Sequence, residues 1–206
     1  MPNWCNNTVE LYHDDPAMIE RARKAFNDSK FLNEFVPIPE SLQIVSGRCG
    51  ADDNPEQIAL EAAQKSNIEQ HGYKDWYDFS VNEWGTKWDV GEDGATDIHP
   101  DGTMLNTYFD SAWSPPIGAY EKLEQLGFTV DAYYYEGGMA FAGTYSDGNE
   151  DSISLEGMTA DEIEQDYPDL NEAFGISESM REYEEPEELS EWLKDGIEQK
   201  KLLVAE

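Results

Sequence analysis

The chain has 206 residues, of which 45 are Asp or Glu and 13 are Lys or Arg, giving a formal net charge of −32. This balance argues against direct binding of nucleic acid or of an anionic membrane, because both require cations that neutralise phosphates. It favours basic protein partners, and a hydrophobic content of 39% with 12% aromatic residues is enough to build a packed core.

The first half of the chain begins with strand and helix signals in close succession. Residues 7–13 alternate apolar and polar side chains, which predicts a strand with one buried face. Asp15 followed by Pro16 predicts a helix start, because Asp caps free backbone N–H groups and Pro suits the first helical position. Residues 28–50 predict an extended segment on the domain surface, and a second helix is expected from Asn54.

Strand signals dominate the next part of the chain, after a densely aromatic segment at residues 73–90. A helix is expected from residue 114 until Gly127, which is typical of the position just after a helix end. Residues 128–145 predict a hairpin, followed by a short strand. Before the helix, residues 105–113 predict a strand with one face formed by Leu105, Thr107, Phe109, Ser111 and Trp113.

The order strand, helix, strand, helix, strand predicts an α+β fold, specifically a ferredoxin-like antiparallel sheet with helices on one face. A long helical and aromatic insertion, about residues 28–95, would separate the first helix from the second strand. We therefore expect one domain over residues 1–157. Residues 158–206 hold 16 acids and 4 bases and begin with the capping-box pattern Thr159–Glu162, which predicts an acidic helical extension.

Three ordered segments carry a family resemblance: residues 1–7 (MPNWCNN), residues 82–89 (NEWGTKWD) and residues 109–116 (FDSAWSPP). Together they resemble the YubB-like family of small phage and conjugative-plasmid proteins, over roughly residues 1–145. The resemblance implies a ferredoxin-like domain and an origin in a mobile element, and it supplies no catalytic residue. By analogy with other small acidic proteins of such elements, it suggests an inhibitor of host defence or DNA-handling proteins.

The segment around Trp84 and Trp88 is a candidate small-ligand site. Two indoles four residues apart, with Lys87 between them and Asp89 beyond, would line a pocket in a small-ligand-binding protein or an enzyme. The alternative interpretation is that both indoles pack against the open face of the sheet beside other tryptophans, since large aromatic residues mostly serve packing.

No motif indicates a metal, a cofactor or catalysis. Cys5 and Cys49 lack the paired spacing of zinc sites, and the acidic stretch from Asp147 lacks the glycine and final glutamate of a calcium loop. Nucleophile and phosphate-loop motifs are also missing, so we predict a non-enzyme without cofactor. The sequence has two cysteines, no secretion signal and no apolar run of the ~18 residues needed to span a bilayer. We therefore predict a cytoplasmic protein whose thiols are reduced.

The leading function hypothesis is inhibition of a basic host protein that binds nucleic acid or serves defence. A run of glutamates near the C-terminus is the candidate contact with that protein. The alternative interpretation is that this run is a tail that only keeps the protein soluble. Mimicry of a DNA duplex is a sharper version. A fold of this mass averages about one net charge per 300 Å², about threefold sparser than a duplex, so mimicry requires the acids to gather on one face. The candidate contacts within that run are Glu182, Glu184, Glu185, Glu187 and Glu188.

Overall fold

The computed structural model describes residues 2–91 and 96–184 and shows an α+β fold with a six-stranded antiparallel sheet. The chain divides into two compact units, Met1–Glu156 and Gly157–Glu206. The strands are β1 (Trp4–Tyr12), β2 (Thr96–Ile98), β3 (Met104–Ala112), β4 (Thr129–Glu136), β5 (Phe141–Ser146) and β6 (Asn149–Ser154). The helices are α1 (Pro16–Asn27), α2 (Phe31–Phe35), α3 (Pro55–His71), α4 (Trp76–Phe79), α5 (Ile117–Gln125), α6 (Ala160–Asp166), α7 (Pro168–Phe174) and α8 (Ile176–Glu184).

The strands are arranged in the order β2-β3-β1-β4-β5-β6. The central strand β1 pairs antiparallel with both β3 and β4, so these two flanking strands run parallel to each other. Helix α5 connects them, which makes β3–α5–β4 a split β-α-β unit around β1. Strands β4, β5 and β6 then continue as an antiparallel meander.

Side-chain alternation gives the sheet two very different faces. On β1 the buried side chains are those of Cys5, Asn7, Val9 and Leu11. This covered face packs against α1, α2 and α5, which contribute Ile19, Phe31, Tyr120 and Leu123 to the core. The opposite face, here called the open face, carries the exposed β1 residues Trp4, Asn6, Glu10 and Tyr12.

Helix α1 begins where the sequence predicts, because its local signals are complete. The Asp15 carboxylate accepts a hydrogen bond from the Ala17 N–H at 2.9 Å, and Pro16 occupies the first helical position. Its buried stripe ends at Phe26, whose ring stacks on that of Phe31 with centroids 3.9 Å apart.

Residues 28–50 are not simply extended, which corrects the prediction for this segment. They contain α2 and a 3-10 turn at Glu40–Leu42. Asp89 explains the helix: its carboxylate accepts hydrogen bonds from the Leu32 and Asn33 N–H groups, at 2.7 and 3.1 Å. A cap that comes from 56 or 57 residues away leaves no signal in the local sequence.

Helix α3 forms at the expected place. Its narrow stripe of Ile58, Ala59, Ala62 and Ala63, which predicts a face that lies close against another element, is exposed at the first three positions and half-buried at Ala63. The buried residues of α3 are polar. Asn67 donates hydrogen bonds to the Ser41 and Lys74 carbonyl oxygens at 2.8 and 3.1 Å, so α3 is tied to neighbouring loops by amide contacts.

The second unit is helical in its described part. The predicted capping box is confirmed, since Thr159 and Glu162 exchange side-chain to backbone hydrogen bonds at the start of α6. Gly175 ends α7 in the left-handed conformation, with φ 60°. Arg181 of α8 binds the carboxylates of Asp161 and Glu164 on α6, which joins these two helices.

Candidate functional site

The aromatic segment of the insertion forms a cleft of about 480 Å³ on the first unit. Helix α4 and the π-helical turn Ser80–Trp84 place two of its indoles, and the chain after Gly85 places the third. Gly85 has a φ of 89°, a left-handed conformation that turns the chain toward α5. The cleft is lined by Lys30, Asn33, Ile38, Gln43, Ile44, Trp76, Trp84, Lys87, Trp88 and Asp89.

The four predicted pocket residues therefore meet at one cleft, but they do different work. Trp84 is only 3% exposed, and its indole N–H donates a hydrogen bond to the Val36 carbonyl at 2.8 Å. It is mainly a core residue that fixes the aromatic segment to the chain after α2. Asp89 is likewise structural, because its carboxylate also accepts from the Val90 N–H at 2.9 Å. Burial raises the pKa of Asp89 despite its three backbone hydrogen bonds.

Lys87 is enclosed by aromatic rings. Its ammonium nitrogen lies 4.6 Å from the ring centroid of Trp88, 5.1 Å from that of Trp113 and 5.7 Å from that of Tyr77. These distances are within the range of cation–π attraction. Trp113, predicted to share one strand face with Leu105 and Phe109, instead follows β3 with a φ of 73° and contributes to this cage.

With Lys30 and Lys87 at its rim, the cleft presents two cations beside three indoles. Because the Asp89 carboxylate is already occupied by backbone N–H groups, the surface offered to a ligand is aromatic and cationic. Such a surface can hold a flat anionic molecule by stacking and ion pairing.

The open face of the sheet has the opposite character, and the sequence reasoning did not single it out. Its most exposed rings belong to Trp4, Tyr12 and Tyr108, at 46, 43 and 53% exposure. The register places five carboxylates on the same face: Glu10, Asp97, Asp110, Asp131 and Asp151. The sequence could have predicted this face from the alternation within each strand. The polar and aromatic residues that alternate with the core residues point to the opposite side of the sheet.

None of the six strands contains a lysine or arginine, although together they hold seven acidic residues. The cations of the first unit therefore lie on helices, turns and loops. Several are already neutralised there, as in the ion pairs Arg21–Glu34, Arg23–Glu20 and Arg48–Asp52. The charged strand residues of the open face are thus all acidic, and aromatic rings lie among them.

The acidic run near the C-terminus is described only at its start. Glu182 is exposed on α8, and Glu184 is the last residue of that helix. Glu185, Glu187 and Glu188 lie outside the described residues, so their role as partner contacts stays a prediction.

Within residues 2–91 and 96–184, no group of three or more His, Cys, Asp or Glu side chains is placed to hold a metal ion. The Asp147 stretch forms the tight β5–β6 turn, with left-handed φ values of 50° at Asp147 and 72° at Gly148. In the same part of the chain, no helix has the length and apolar character needed to cross a membrane.

Comparisons with known proteins identify no family for this chain. No family model matches the chain, and no curated protein does. One solved structure is similar: the crystal structure of protein api92 from Yersinia pseudotuberculosis, of the family DUF1281. It is 11% identical, covers 75% of this chain and 98% of its own, and has a TM-score of 0.39, too low to support any argument about fold or function.

Proposed function

We propose that the protein binds a basic host protein through its carboxylates and inhibits it, without catalysis or a cofactor. One observation carries this proposal: the sheet has an uncovered face that bears five carboxylates, while all six strands lack lysine and arginine. A one-sign surface attracts an oppositely charged partner over long range and repels nucleic acid and anionic membranes.

The proposed class of partner is inferred from the common role of basic protein surfaces, which is to bind nucleic acid. Proteins that hold DNA or RNA expose lysine and arginine to bind phosphates, and a carboxylate surface competes for the same cations. A nucleic-acid-binding or defence protein in the host cytoplasm is therefore the proposed target. Membership of the YubB-like family and an origin in a phage or plasmid accord with this role. Both rest on the three sequence motifs.

DNA mimicry is the sharper form of the proposal. Mimicry requires acids gathered on one face, and the five carboxylates of the open face support this form of the proposal. A mimic should compete with duplex DNA for the partner, whereas an inhibitor that binds elsewhere should not.

We also propose that the first unit is a variant of the ferredoxin-like sandwich. Strands β3, β1, β4 and β5 form an antiparallel sheet with helices against one face, and β3–α5–β4 is one split β-α-β unit. The variation lies in the connections, because α1 and the insertion lead from β1 to its direct neighbour β3. An experimental structure in which these strands adopt another order would remove this assignment.

The proposed function is tested with purified basic nucleic-acid-binding proteins and acidic proteins of matched size. Surface-immobilised full-length protein should bind members of the basic set at low salt, with affinity that falls steeply as salt rises. Partners bound by the protein should show a reduced affinity for labelled duplex DNA. Absence of binding to every basic protein at low salt would contradict the proposal.

A second candidate function is binding of a small aromatic anion in the cleft beside Lys30, Lys87 and Trp88. Its support is the cage that holds the Lys87 ammonium against three rings. An aromatic sulfonate dye should bind with quenching of tryptophan fluorescence, and Lys87→Met should abolish the quenching. Lys65→Met on α3 removes the same charge outside the cleft and serves as the control.

A further inference from the structure

A row of hydrogen-bond acceptors crosses the open face at right angles to the strands. Asp97 pairs with Asn106, Asn106 with Glu10, and Glu10 with Asp131. These four residues, called the acceptor row, therefore lie side by side on β2, β3, β1 and β4. Because neighbouring strands are about 4.8 Å apart, the row is about 14 Å long.

Little in the described structure satisfies this row. No ion pair between described residues involves its three carboxylates. Oδ1 of Asn106 accepts no hydrogen bond from a described residue, but it is buried and closed to a ligand, so the acceptors that the row offers are its three carboxylates. Within the described residues, the Ser146 hydroxyl donates a hydrogen bond to Asp131, and the carboxylates of Glu10 and Asp97 accept none. The row thus offers acceptors in excess, which is a match for a ligand rich in N–H donors.

Two tyrosines border the acceptor row. Thr8 pairs with Tyr108 on one side and with Tyr133 on the other, in the next row along the strands. The backbones of these tyrosines are separated by two strand spacings, about 9.6 Å. A flat group stacked between two rings needs about 7 Å, twice the usual contact distance of about 3.5 Å. The backbone spacing across the small Thr8 side chain is therefore wide enough for a planar group between the two tyrosines.

The arrangement is unfavourable for the sheet alone. Glu10 and Asp131 are direct cross-strand partners, and like charges in that position destabilise a sheet. No strand supplies a lysine or arginine to offset them. A cationic ligand lying across both carboxylates would remove this repulsion.

We propose that the acceptor row and its bordering tyrosines form a groove for arginine side chains of an extended, basic segment of the partner. This rests on the proposed function and names the chemistry that its surface recognises. A guanidinium is planar, carries five N–H donors and stacks on aromatic rings, whereas an ammonium group offers three donors and no plane. Same-side residues of an extended segment are about 6.8 Å apart, so the row accommodates up to three successive arginines.

The test uses two labelled peptides, one with arginine alternating with serine and one with lysine in place of arginine. Fluorescence anisotropy with the full-length protein at low salt should show the arginine peptide binding about tenfold more tightly. Glu10→Gln with Asp131→Asn should weaken its binding about tenfold or more. Tyr108→Leu should remove most of the preference for arginine while leaving the lysine peptide almost unaffected.

The control is Glu69→Gln with Glu121→Gln, which removes the same charge from exposed sites on α3 and α5. At about 0.1 M salt, where the Debye length is about 10 Å, it should change binding less than about twofold, because charges away from the peptide are then screened. If this control weakens binding as much as the Glu10 and Asp131 variant, the groove is wrong but the acidic-surface function stands. Equal binding of both peptides by wild type and Tyr108→Leu overturns the arginine assignment. If the wild type binds neither peptide nor any basic protein, both proposals fail.

Discussion

The two faces of the sheet are built from the same strands but differ in burial and in residue type. On β1, Val9 and Leu11 are at most 1% exposed beneath the helices, whereas the alternating residues Glu10 and Tyr12 face solvent. The covered face is mostly apolar, with a few buried polar side chains such as Asn7 and Ser111, and the open face combines carboxylates with rings. The difference teaches that packing of the core constrains the covered half of each strand and leaves the residue types of the other half free of that constraint.

The largest expected effect is on the stability of the covered face. Leu11→Ala removes a side chain with 0% exposure and should lower the free energy of unfolding by about 2–5 kcal/mol. Tyr12→Ala, one residue away on the open face, should lower it by less than about 1 kcal/mol. Denaturant titrations of both variants measure the contrast, and equal losses would show that the open face is packed in solution.

The two cysteines should differ in reactivity for the same reason. Cys5 is on the covered face, and burial raises the pKa of its thiol to about 12, so the reactive thiolate is scarce near pH 8. Exposed Cys49 should react with a thiol reagent about a hundredfold faster or more. In native protein one thiol should react rapidly, and in denaturant both should. Rapid reaction of Cys5 in native protein would contradict its burial.

The Asp89 carboxylate ties the two ends of the insertion to each other, because it caps helix α2 from the far side of the aromatic segment. Asp89→Ala leaves the N–H groups of Leu32, Asn33 and Val90 without their acceptor and should cost about 1–3 kcal/mol. Asp89→Asn keeps one acceptor oxygen and should cost less. Asp151→Ala, an exposed acid on the open face, is the matched control and should stay within about 0.5 kcal/mol of wild type.

Local signals in the sequence predicted the elements that local chemistry determines. The Asp15–Pro16 helix start, the Thr159 capping box and the alternation of β3 from Leu105 to Ser111 are all confirmed. Each depends on residues within a few positions of one another, so a single segment carries the whole signal.

What the sequence missed depends on contacts between distant segments. Helix α2 is capped by a carboxylate that follows the aromatic segment, and α3 is held by buried amides instead of its apolar stripe. The acceptor row was equally hidden, because cross-strand neighbours such as Glu10 and Asp131 are defined by register and not by spacing along the chain. The pocket residues Trp84, Lys87, Trp88 and Asp89 do meet at one cleft, though two of them are structural.

Removing charge from the open face should raise stability slightly, whereas the substitutions of Leu11 and Asp89 should lower it. Glu10→Gln with Asp131→Asn removes a like-charge pair and should raise the free energy of unfolding by a few tenths of a kcal/mol to about 1 kcal/mol. The gain should shrink at about 1 M salt, where such repulsion is screened. Denaturant titrations at low and high salt provide the measurement. A loss of stability would mean that these carboxylates support the fold, against their assignment to binding.

The central claim, that the open face receives a basic partner, is tested most directly by association rates measured from low to high salt. Three forms are compared: wild type, Glu10→Gln with Asp131→Asn, and a variant with Gln at positions 182, 184, 185, 187 and 188. The open-face variant should bind a basic partner protein more slowly and with a shallower salt dependence, because steering by exposed charge is what salt screens. Unchanged rates for that variant, with a large fall for the C-terminal one, would contradict the claim and assign binding to the acidic run.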